Sequence, residues 1–215
     1  MGICQIIEVK LLSVKLKEDI IMSATKPIKN QENIQKLKDY FLGKERYRDY
    51  TMVTFGLNTA LRISDLLSLT WGDVYHFDKD CFYTYICVKE QKTGKSNQIY
   101  LNDAVLQALS LLMAHTPDVT KSSYIFPSRK GNKPISRVQA YRIIHNAGDA
   151  LGFETKVSCH SLRKTFGYQA WKQGAEPALL MNIYNHSSYF ITQRYLCIDQ
   201  DDRDLLYQKI KKINL

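Results

Sequence analysis

The chain has 215 residues, of which 45% are apolar, and its 30 Lys and Arg against 21 Asp and Glu give a formal net charge of +9. This length and apolar content are enough for a buried core, and they indicate one domain with room for an appendage. A sequence pI of about 9.2 favours a polyanionic partner such as nucleic acid, although a solvated basic surface without such a partner stays open at this stage.

The five cysteines form no CxxC pair and are odd in number. This pattern argues against a disulfide framework or a zinc ribbon and is typical of a reducing cytoplasm. Residues 1–22 lean apolar, but charged residues interrupt them, so they predict neither a signal peptide nor a membrane span. We therefore expect a cytoplasmic protein with no membrane partner.

The first predicted elements follow a poorly specified extension over residues 1–26. After Pro27, Asn30 is suited to cap a helix that carries apolar residues at helical spacing and ends at Gly43. A second helix is predicted over residues 44–57.

The segment LNTALRISDLLSLTWGDV (57–74) contains a charge among apolar residues. Ser64 is predicted to cap a short helix that contains Asp65. Arg62 lies at a position where its charge requires a partner or an exposed path to solvent. A pair between Arg62 and Asp65, three residues apart, is one interpretation, and a functional role is the other.

The hydrophobic period changes to two between Val74 and Leu101. Residues 81–88 and 97–101 alternate around QKTGKS (91–96), which predicts a β-hairpin with its turn at Thr93-Gly94. The lysines at this tip either protect a solvated edge or extend an ammonium group into a groove.

The second half of the chain is predicted to be helical. Asn102 is suited to cap a helix over residues 104–114, and Ser136 begins another that ends at Gly152. The loop SRKGNKP (128–134) between them either faces solvent or follows a phosphate backbone. Further helices are predicted over three segments and a C-terminal tail, which are residues 161–174, 177–184, 187–196 and 201–215. The fold class is therefore α+β, mainly α-helical, with a small antiparallel β-sheet on one side.

Two polar motifs lie in the C-terminal third, CHSLRKTFG (159–167) and NHSSYFITQRY (185–195). Arg163 grips phosphate oxygens well because a guanidinium donates in a bidentate fork and keeps its charge. His160 and His186 can move protons near neutral pH, and the hydroxyl of Tyr195 is a possible covalent nucleophile. Asn185 tolerates the left-handed conformation with which the preceding helix is expected to end.

These motifs together resemble those of the tyrosine recombinases, or phage integrase family. TALRISDLL is similar to the family's T-G-L-R-x-S-E/D-L, QKTGK lies on a hairpin as the family's lysine does, HSLRKTFG is a near-verbatim family box, and NHSSYFITQRY is similar to G-H-S-S-x-x-T-T-x-x-Y. The resemblance extends from about Pro27 to the C-terminus. It departs from the family pattern at Ala60 and Asn185, where the family has glycine.

The resemblance implies a catalytic domain over residues 27–200, a C-terminal helical tail over residues 201–215, and no core-binding domain within residues 1–26. It implies six catalytic residues: Arg62, Lys92, His160, Arg163, His186 and Tyr195. In this interpretation the tyrosine attacks a DNA phosphodiester to form a 3′-phosphotyrosyl link, the arginines hold the phosphate oxygens, and the lysine protonates the leaving oxygen.

The same resemblance implies double-stranded DNA as the partner, a homo-oligomer that is a tetramer on DNA, and accessory proteins that bend the DNA. No metal or other cofactor is expected. The expected DNA-contacting residues are Lys95, Arg129, Lys130, Lys133 and Lys164. The resemblance implies site-specific recombination for a mobile element as the function. Strand relaxation like that of a type IB topoisomerase and non-catalytic DNA binding on the same fold are the alternatives.

Overall fold

A computed structural model describes residues 25–129 and 133–209, and it confirms the predicted mainly helical α+β fold with a small antiparallel sheet. The helices are α1 (Gln31–Leu42), α2 (Tyr47–Thr59), α3 (Ile63–Leu67), α4 (Trp71–Val74), α5 (Asp103–Ala114), α6 (Arg137–Ala150), α7 (Cys159–Lys172), α8 (Pro177–Tyr184), α9 (Tyr189–Leu196) and α10 (Gln200–Lys209). The strands are β1 (Tyr75–His76), β2 (Cys81–Phe82), β3 (Tyr85–Lys89) and β4 (Ser96–Tyr100).

Side chains cap the helices at several predicted positions. The Asn30 carboxamide oxygen accepts a hydrogen bond from the backbone N–H of Glu32 at the start of α1, and Asn102 accepts one from Val105 at the start of α5. Ser136 does the same for α6. Each cap satisfies a donor that the first helical turn leaves without a partner inside the helix.

The cap predicted at Ser64 is wrong, because Ser64 lies inside α3 and Arg62 is the N-cap residue. Arg62 has an extended backbone there (φ −68°, ψ 145°). The preceding Ala60 adopts a left-handed conformation (φ 53°) as the C-cap of α2. This turn directs the chain from the end of α2 into α3 and sets the direction in which the Arg62 side chain leaves the backbone.

The period-two region forms two separate antiparallel ribbons rather than one hairpin. β3 pairs with β4 in the register Ile86↔Ile99, with Gly94 (φ 70°) in the connecting turn. The residues Cys81–Phe82, predicted as the beginning of the first hairpin strand, pair instead with β1. The predicted turn is therefore correct, and the strand that precedes it is interrupted.

The main core lies between α2 and the helices packed on it, α5 and α7. Gly56 of α2 permits a close approach to α7, because a Cβ atom there would lie 2.9 Å from Leu162 Cδ1. Arg62 follows the C-terminal end of α2, and Arg163 is next to Leu162 on α7. The packing of these two helices therefore brings together two arginines that are far apart in the sequence.

A second, smaller core supports the C-terminal helices. Ala60, Leu180, Tyr184 and Leu196 are buried in it, and Tyr195 packs against its edge. Because the members come from the end of α2 and from α8 and α9, this cluster attaches the helix that carries Tyr195 to the turn that precedes Arg62.

The helix α10 is tied to the body of the protein by its first turn. The Asp202 carboxylate is buried, and it accepts hydrogen bonds from Lys29 Nζ at 2.8 Å and from the Tyr168 hydroxyl at 2.5 Å. Beyond that turn, Leu205 and Leu206 are exposed. These two leucines are therefore not covered by the part of the chain that the structure describes. Residues 210–215 of the predicted tail lie outside the described residues, as do residues 1–24 of the predicted extension.

Candidate active site

The side chain of Arg62 is held from the hairpin. Its Nη1 atom lies 2.5 Å from Glu90 Oε2, and the exposed fractions of the two side chains are 23% and 4%. Asp65, the alternative partner considered from the sequence, instead accepts a hydrogen bond from the backbone N–H of Gln91 at 3.1 Å. The Arg62–Asp65 interpretation is therefore wrong, because Asp65 is used to attach α3 to the hairpin.

The second arginine, Arg163, is buried in the first half of α7 with only 6% of its surface exposed. Its guanidinium carbon lies 4.8 Å from the ring centroid of Tyr184, which packs against Tyr195 with ring centroids 5.1 Å apart. The Tyr184 hydroxyl donates to the Arg163 carbonyl oxygen at 2.7 Å. Arg163 is therefore fixed through its backbone and its side chain by Tyr184. His160, half-buried, lies one turn earlier on the same helix.

His186 follows the predicted left-handed residue, since Asn185 ends α8 with φ 57° and ψ 42°. Its Nδ1 atom lies 3.0 Å from the Thr192 hydroxyl, which fixes the orientation of the ring. Tyr184, His186 and Tyr195 form an aromatic cluster, in which the His186 centroid lies 5.4 Å from that of Tyr184 and 5.2 Å from that of Tyr195. This cluster lies beside Arg163.

Burial and positive charge shape the protonation states of the site. Burial lowers the pKa of His186, and the charges of Arg163 and Arg62 lower it further. The imidazole is therefore neutral at neutral pH and able to donate one hydrogen bond. Burial raises the pKa of Tyr195, while Arg163 and Arg62 oppose that rise without reversing it. The two arginines therefore favour ionisation of this tyrosine, but desolvation is the larger effect.

The hairpin turn after β3 carries both predicted lysines. Lys92 is exposed on the turn. Lys95 Nζ donates to Asn185 Oδ1 at 3.0 Å, so this lysine contacts the residue that precedes His186. Arg62, Arg163, His186 and Tyr195 are thus brought together from four segments, with His160 one helical turn from Arg163.

Glu90 contacts Arg62 but is not among the site residues predicted from the sequence. Along β3, Ile86 and Val88 are buried while their neighbours are exposed, and Glu90 continues this alternation on the buried face. An acidic residue at a buried strand position requires a cation or several donors. The two-residue repeat of buried positions, which predicted the hairpin, could therefore have indicated that Glu90 binds a basic side chain.

The predicted DNA-contacting lysines and arginines have different environments. Arg129 and Lys133 are exposed at the two ends of the basic loop, and Lys130 lies outside the described residues. Lys164 is buried, and its Nζ donates to the carbonyl oxygen of Thr25 at 2.6 Å. The prediction that Lys164 contacts DNA is wrong, because this side chain faces the interior.

Within residues 25–129 and 133–209, no group of three or more His, Cys, Asp or Glu side chains is arranged to hold a metal ion. Likewise, none of the helices described is both long enough and apolar enough to cross a membrane.

Comparisons with known proteins point to one family. Residues 29–201 match the model of the phage integrase family. The probable integrase/recombinase YoeC of Bacillus subtilis (strain 168) is 40% identical over 187 residues, covering 87% of this chain and 97% of that protein. The type 1 fimbriae regulatory protein FimE of Escherichia coli (strain K12) is 31% identical over 151 residues, covering 69% and 73% respectively.

Solved structures share the fold. The crystal structure of XerA recombinase superimposes with a TM-score of 0.67 at 21% identity, covering 85% of this chain and 65% of that one. That of XerH site-specific recombinase bound to palindromic difH substrate has a TM-score of 0.65 at 18% identity, with coverages of 84% and 51%. The fold and the ordered set of polar residues therefore point to the same group of proteins.

Proposed function

The chain belongs to the phage integrase family of tyrosine recombinases, and on this premise we propose that it is a site-specific recombinase that cleaves and rejoins DNA through Tyr195. The observation that carries the proposal is the position of the buried Arg163 over the ring of Tyr184, which packs against Tyr195 beside His186. The charges of Arg163 and Arg62 both act on the Tyr195 hydroxyl. A nucleophile next to fixed cationic donors is the arrangement that phosphoryl transfer requires.

The proposed reaction conserves the number of phosphoester bonds. The Tyr195 oxygen forms a bond to the scissile phosphorus while the bond from phosphorus to the 5′-oxygen breaks, which leaves a 3′-phosphotyrosyl link and a free 5′-hydroxyl. His160 accepts the proton of the tyrosine, and Lys92 donates a proton to the leaving oxygen. Attack by a 5′-hydroxyl reverses these steps, so rejoining requires no ATP.

The role of the positive charge follows from the transition state. Attack concentrates negative charge on the non-bridging oxygens, where the guanidinium groups of Arg62 and Arg163 donate. The neutral imidazole of His186, oriented by Thr192, adds one further donor. Donors fixed before the reaction stabilise developing charge without reorganising, and removing one typically slows catalysis by about 10²–10³-fold.

Deprotonation of Tyr195 is proposed to accompany attack rather than to precede it. Burial raises the pKa of this hydroxyl despite the two arginines. A tyrosinate present before DNA binds would therefore be unfavourable, and it would also be open to side reactions. General-base assistance from His160 during attack avoids this intermediate.

Double-stranded DNA is the proposed partner. Family membership supports it, as do the DNA complexes among proteins of the same fold, including XerH bound to difH substrate. Lys95, Arg129 and Lys133 are exposed and are proposed to contact phosphates, which position the duplex but carry no sequence information directly. Lys164 is buried and Lys130 lies outside the described residues. Among the described members of the predicted set, a surface location therefore supports DNA contact for Lys95, Arg129 and Lys133.

Self-association on DNA, as the predicted tetramer, is proposed from exposed apolar side chains on the C-terminal helices. Phe190 on α9 is 71% exposed, and Leu206 and Tyr207 on α10 are exposed as well. Large apolar side chains clustered at a surface commonly mark interaction sites. We propose that residues 201–215 act as the tail that joins protomers, beside a catalytic domain over residues 27–200.

Covalent capture from a library of nicked duplexes tests the proposal. Each duplex carries a nick just downstream of a randomised segment, so that cleavage releases a short fragment and prevents rejoining. We expect an adduct that survives denaturation with the wild-type chain and none with Tyr195→Phe. A wild-type chain that binds the library but forms no adduct would instead support the non-catalytic regulator, and relaxation of supercoiled plasmid by monomer would support the topoisomerase alternative.

A further inference from the structure

We propose that Glu90 is a positioning residue for the reaction, which holds Arg62 in the orientation that the scissile phosphate requires and is itself held by Asn185. This inference rests on the proposed function and identifies a residue outside the six predicted from the sequence. Four observations carry it: the direction of the ion pair, the number of groups that fix the carboxylate, the link to the His186 segment, and the charge balance.

The ion pair engages the inward end of the guanidinium. Nη1 of Arg62 is buried and lies 2.5 Å from Glu90 Oε2, whereas the Arg62 side chain as a whole keeps 23% of its surface exposed. The exposed part of this side chain is available to an incoming phosphate. The Glu90 side chain is only 4% exposed, so DNA cannot take its place without opening the hairpin. The carboxylate therefore orients Arg62 rather than competing with the substrate.

Several donors hold the Glu90 carboxylate itself. The Thr93 hydroxyl donates to Oε2 at 2.6 Å, and the Asn97 carboxamide donates to Oε1 at 3.1 Å. Burial acts to raise the pKa of Glu90, but the hydrogen bond from Thr93 and the charge of Arg62 outweigh it and lower the pKa. The carboxylate is therefore ionised at neutral pH and keeps one geometry, as an anchor for Arg62 requires.

Asn185 connects this anchor to the segment that carries His186. Its Nδ2 atom lies 3.4 Å from each oxygen of Glu90, and its Oδ1 atom accepts a hydrogen bond from Lys95 at 3.0 Å. The left-handed backbone of Asn185 (φ 57°) would also be available to glycine. A glycine would have no carboxamide, so the side chain at this position has a use beyond the turn.

Arg62, Arg163 and Glu90 together carry one net positive charge. Arg62 and Arg163 contribute two positive charges, and Glu90, which lies in the field of both, contributes one negative charge. A phosphodiester carries one negative charge. Two largely buried arginines without Glu90 would repel each other before DNA binds, so the carboxylate also lowers the electrostatic cost of keeping them together.

The test is a double-mutant cycle on the wild-type background and on Arg62→Ala, read out as the single-turnover rate of adduct formation. We expect Glu90→Gln to slow the reaction by about 10–100-fold, the range that a misplaced catalytic group produces. In the Arg62→Ala background the same change is expected to alter the remaining rate by less than about twofold, because the group that Glu90 positions is already absent. DNA affinity is expected to stay within about twofold of the wild type, since phosphate contacts elsewhere supply most of it.

Asn185→Gly provides a second test that leaves the buried carboxylate in place. It keeps the left-handed turn but removes the amide that binds Glu90, so we expect a smaller loss of rate that again disappears in the Arg62→Ala background. Glu154→Gln, at an exposed carboxylate on the α6–α7 connection, is the matched control and should leave the rate unchanged.

The outcomes separate this inference from the function on which it rests. A wild-type chain that forms no adduct would refute the proposed function. A normal wild-type rate together with an unaffected Glu90→Gln variant, or a loss of equal size with and without Arg62, would refute only the positioning role. If Glu90→Gln does not fold, the Asn185→Gly cycle decides the question by the same criteria.

Discussion

Replacing Gly167 by alanine changes the shape of the candidate active site without altering any polar group. Gly167 lies on α7, one turn after Arg163. A Cβ atom there would overlap the Tyr184 hydroxyl and lie 2.6 Å from Leu196 Cδ2 and 2.8 Å from Tyr184 Cε2. Because Tyr184 supports Arg163 and packs against His186, we expect the added methyl group to move the aromatic cluster.

The expected effects on stability and on rate differ in size. Overpacking costs about 1–3 kcal/mol, and alanine regains about 0.5–1 kcal/mol over glycine inside a helix. The free energy of unfolding should therefore fall by only about 0–2.5 kcal/mol. A displacement of the catalytic groups by about 1 Å can cost about 10²-fold in rate, so the single-turnover rate of adduct formation should fall far more than stability does.

The assay compares Gly167→Ala with Gly148→Ala under the same conditions. Gly148 lies on α6, where a Cβ atom would lie 3.2 Å from Val157 and have no contact with the aromatic cluster. Both variants gain the same helix propensity, so the control should keep the wild-type rate. A wild-type rate for a folded Gly167→Ala variant would show that the position of Tyr184 does not control catalysis and would refute this reasoning.

The remaining predictions concern the protonation of Lys92 and of His186. Lys92→Ala should slow adduct formation by about 10²–10⁴-fold, the usual contribution of a general acid, and a substrate with sulfur at the 5′-bridging position should restore the rate because a thiolate leaves without protonation. Failure of this rescue for Lys92→Ala, together with rescue of Lys95→Ala, would assign the acid to Lys95. His186→Asn should make stability less sensitive to acid. The pKa of His186 is lowered by burial and by Arg163 and Arg62, so the unfolded chain binds a proton at this residue more tightly than the folded protein does. The contribution of the neutral imidazole to stability is therefore present above about pH 6.5 and is lost as the pH falls below that value. Chemical denaturation at about pH 7.5 and about pH 5.5 measures this difference, and equal losses for the wild type and the variant would contradict it.

The local features of the fold could be predicted because they depend on neighbouring residues. A carboxamide or hydroxyl caps a helix by reaching a donor within the same turn, which is why Asn30, Asn102 and Ser136 begin helices as expected. The left-handed turn at Asn185 has the same local origin. The family's polar residues could be found from their order along the chain, without knowledge of their distances in space.

Features that depend on distant contacts were not accessible in the same way. No glycine or proline interrupts residues 81–88 in the sequence, yet the chain changes partner between β2 and β3, since Cys81–Phe82 pair with Tyr75–His76. The burial of Lys164 could not be foreseen from its neighbours in the sequence, because it depends on how α7 directs this side chain toward Thr25. The partner of Arg62 could not be chosen either, because Glu90 approaches only when the hairpin folds over α3.

The most direct test of the account is to identify the amino acid and the phosphate in the trapped adduct. Proteolysis of the adduct followed by tandem mass spectrometry of the nucleotide-linked peptide gives both. We predict that the modified residue is Tyr195 and that it is joined to a DNA 3′-phosphate, with a 5′-hydroxyl on the released strand. An adduct through another residue, or a link to a 5′-phosphate, would contradict the assignment of Tyr195 as the nucleophile.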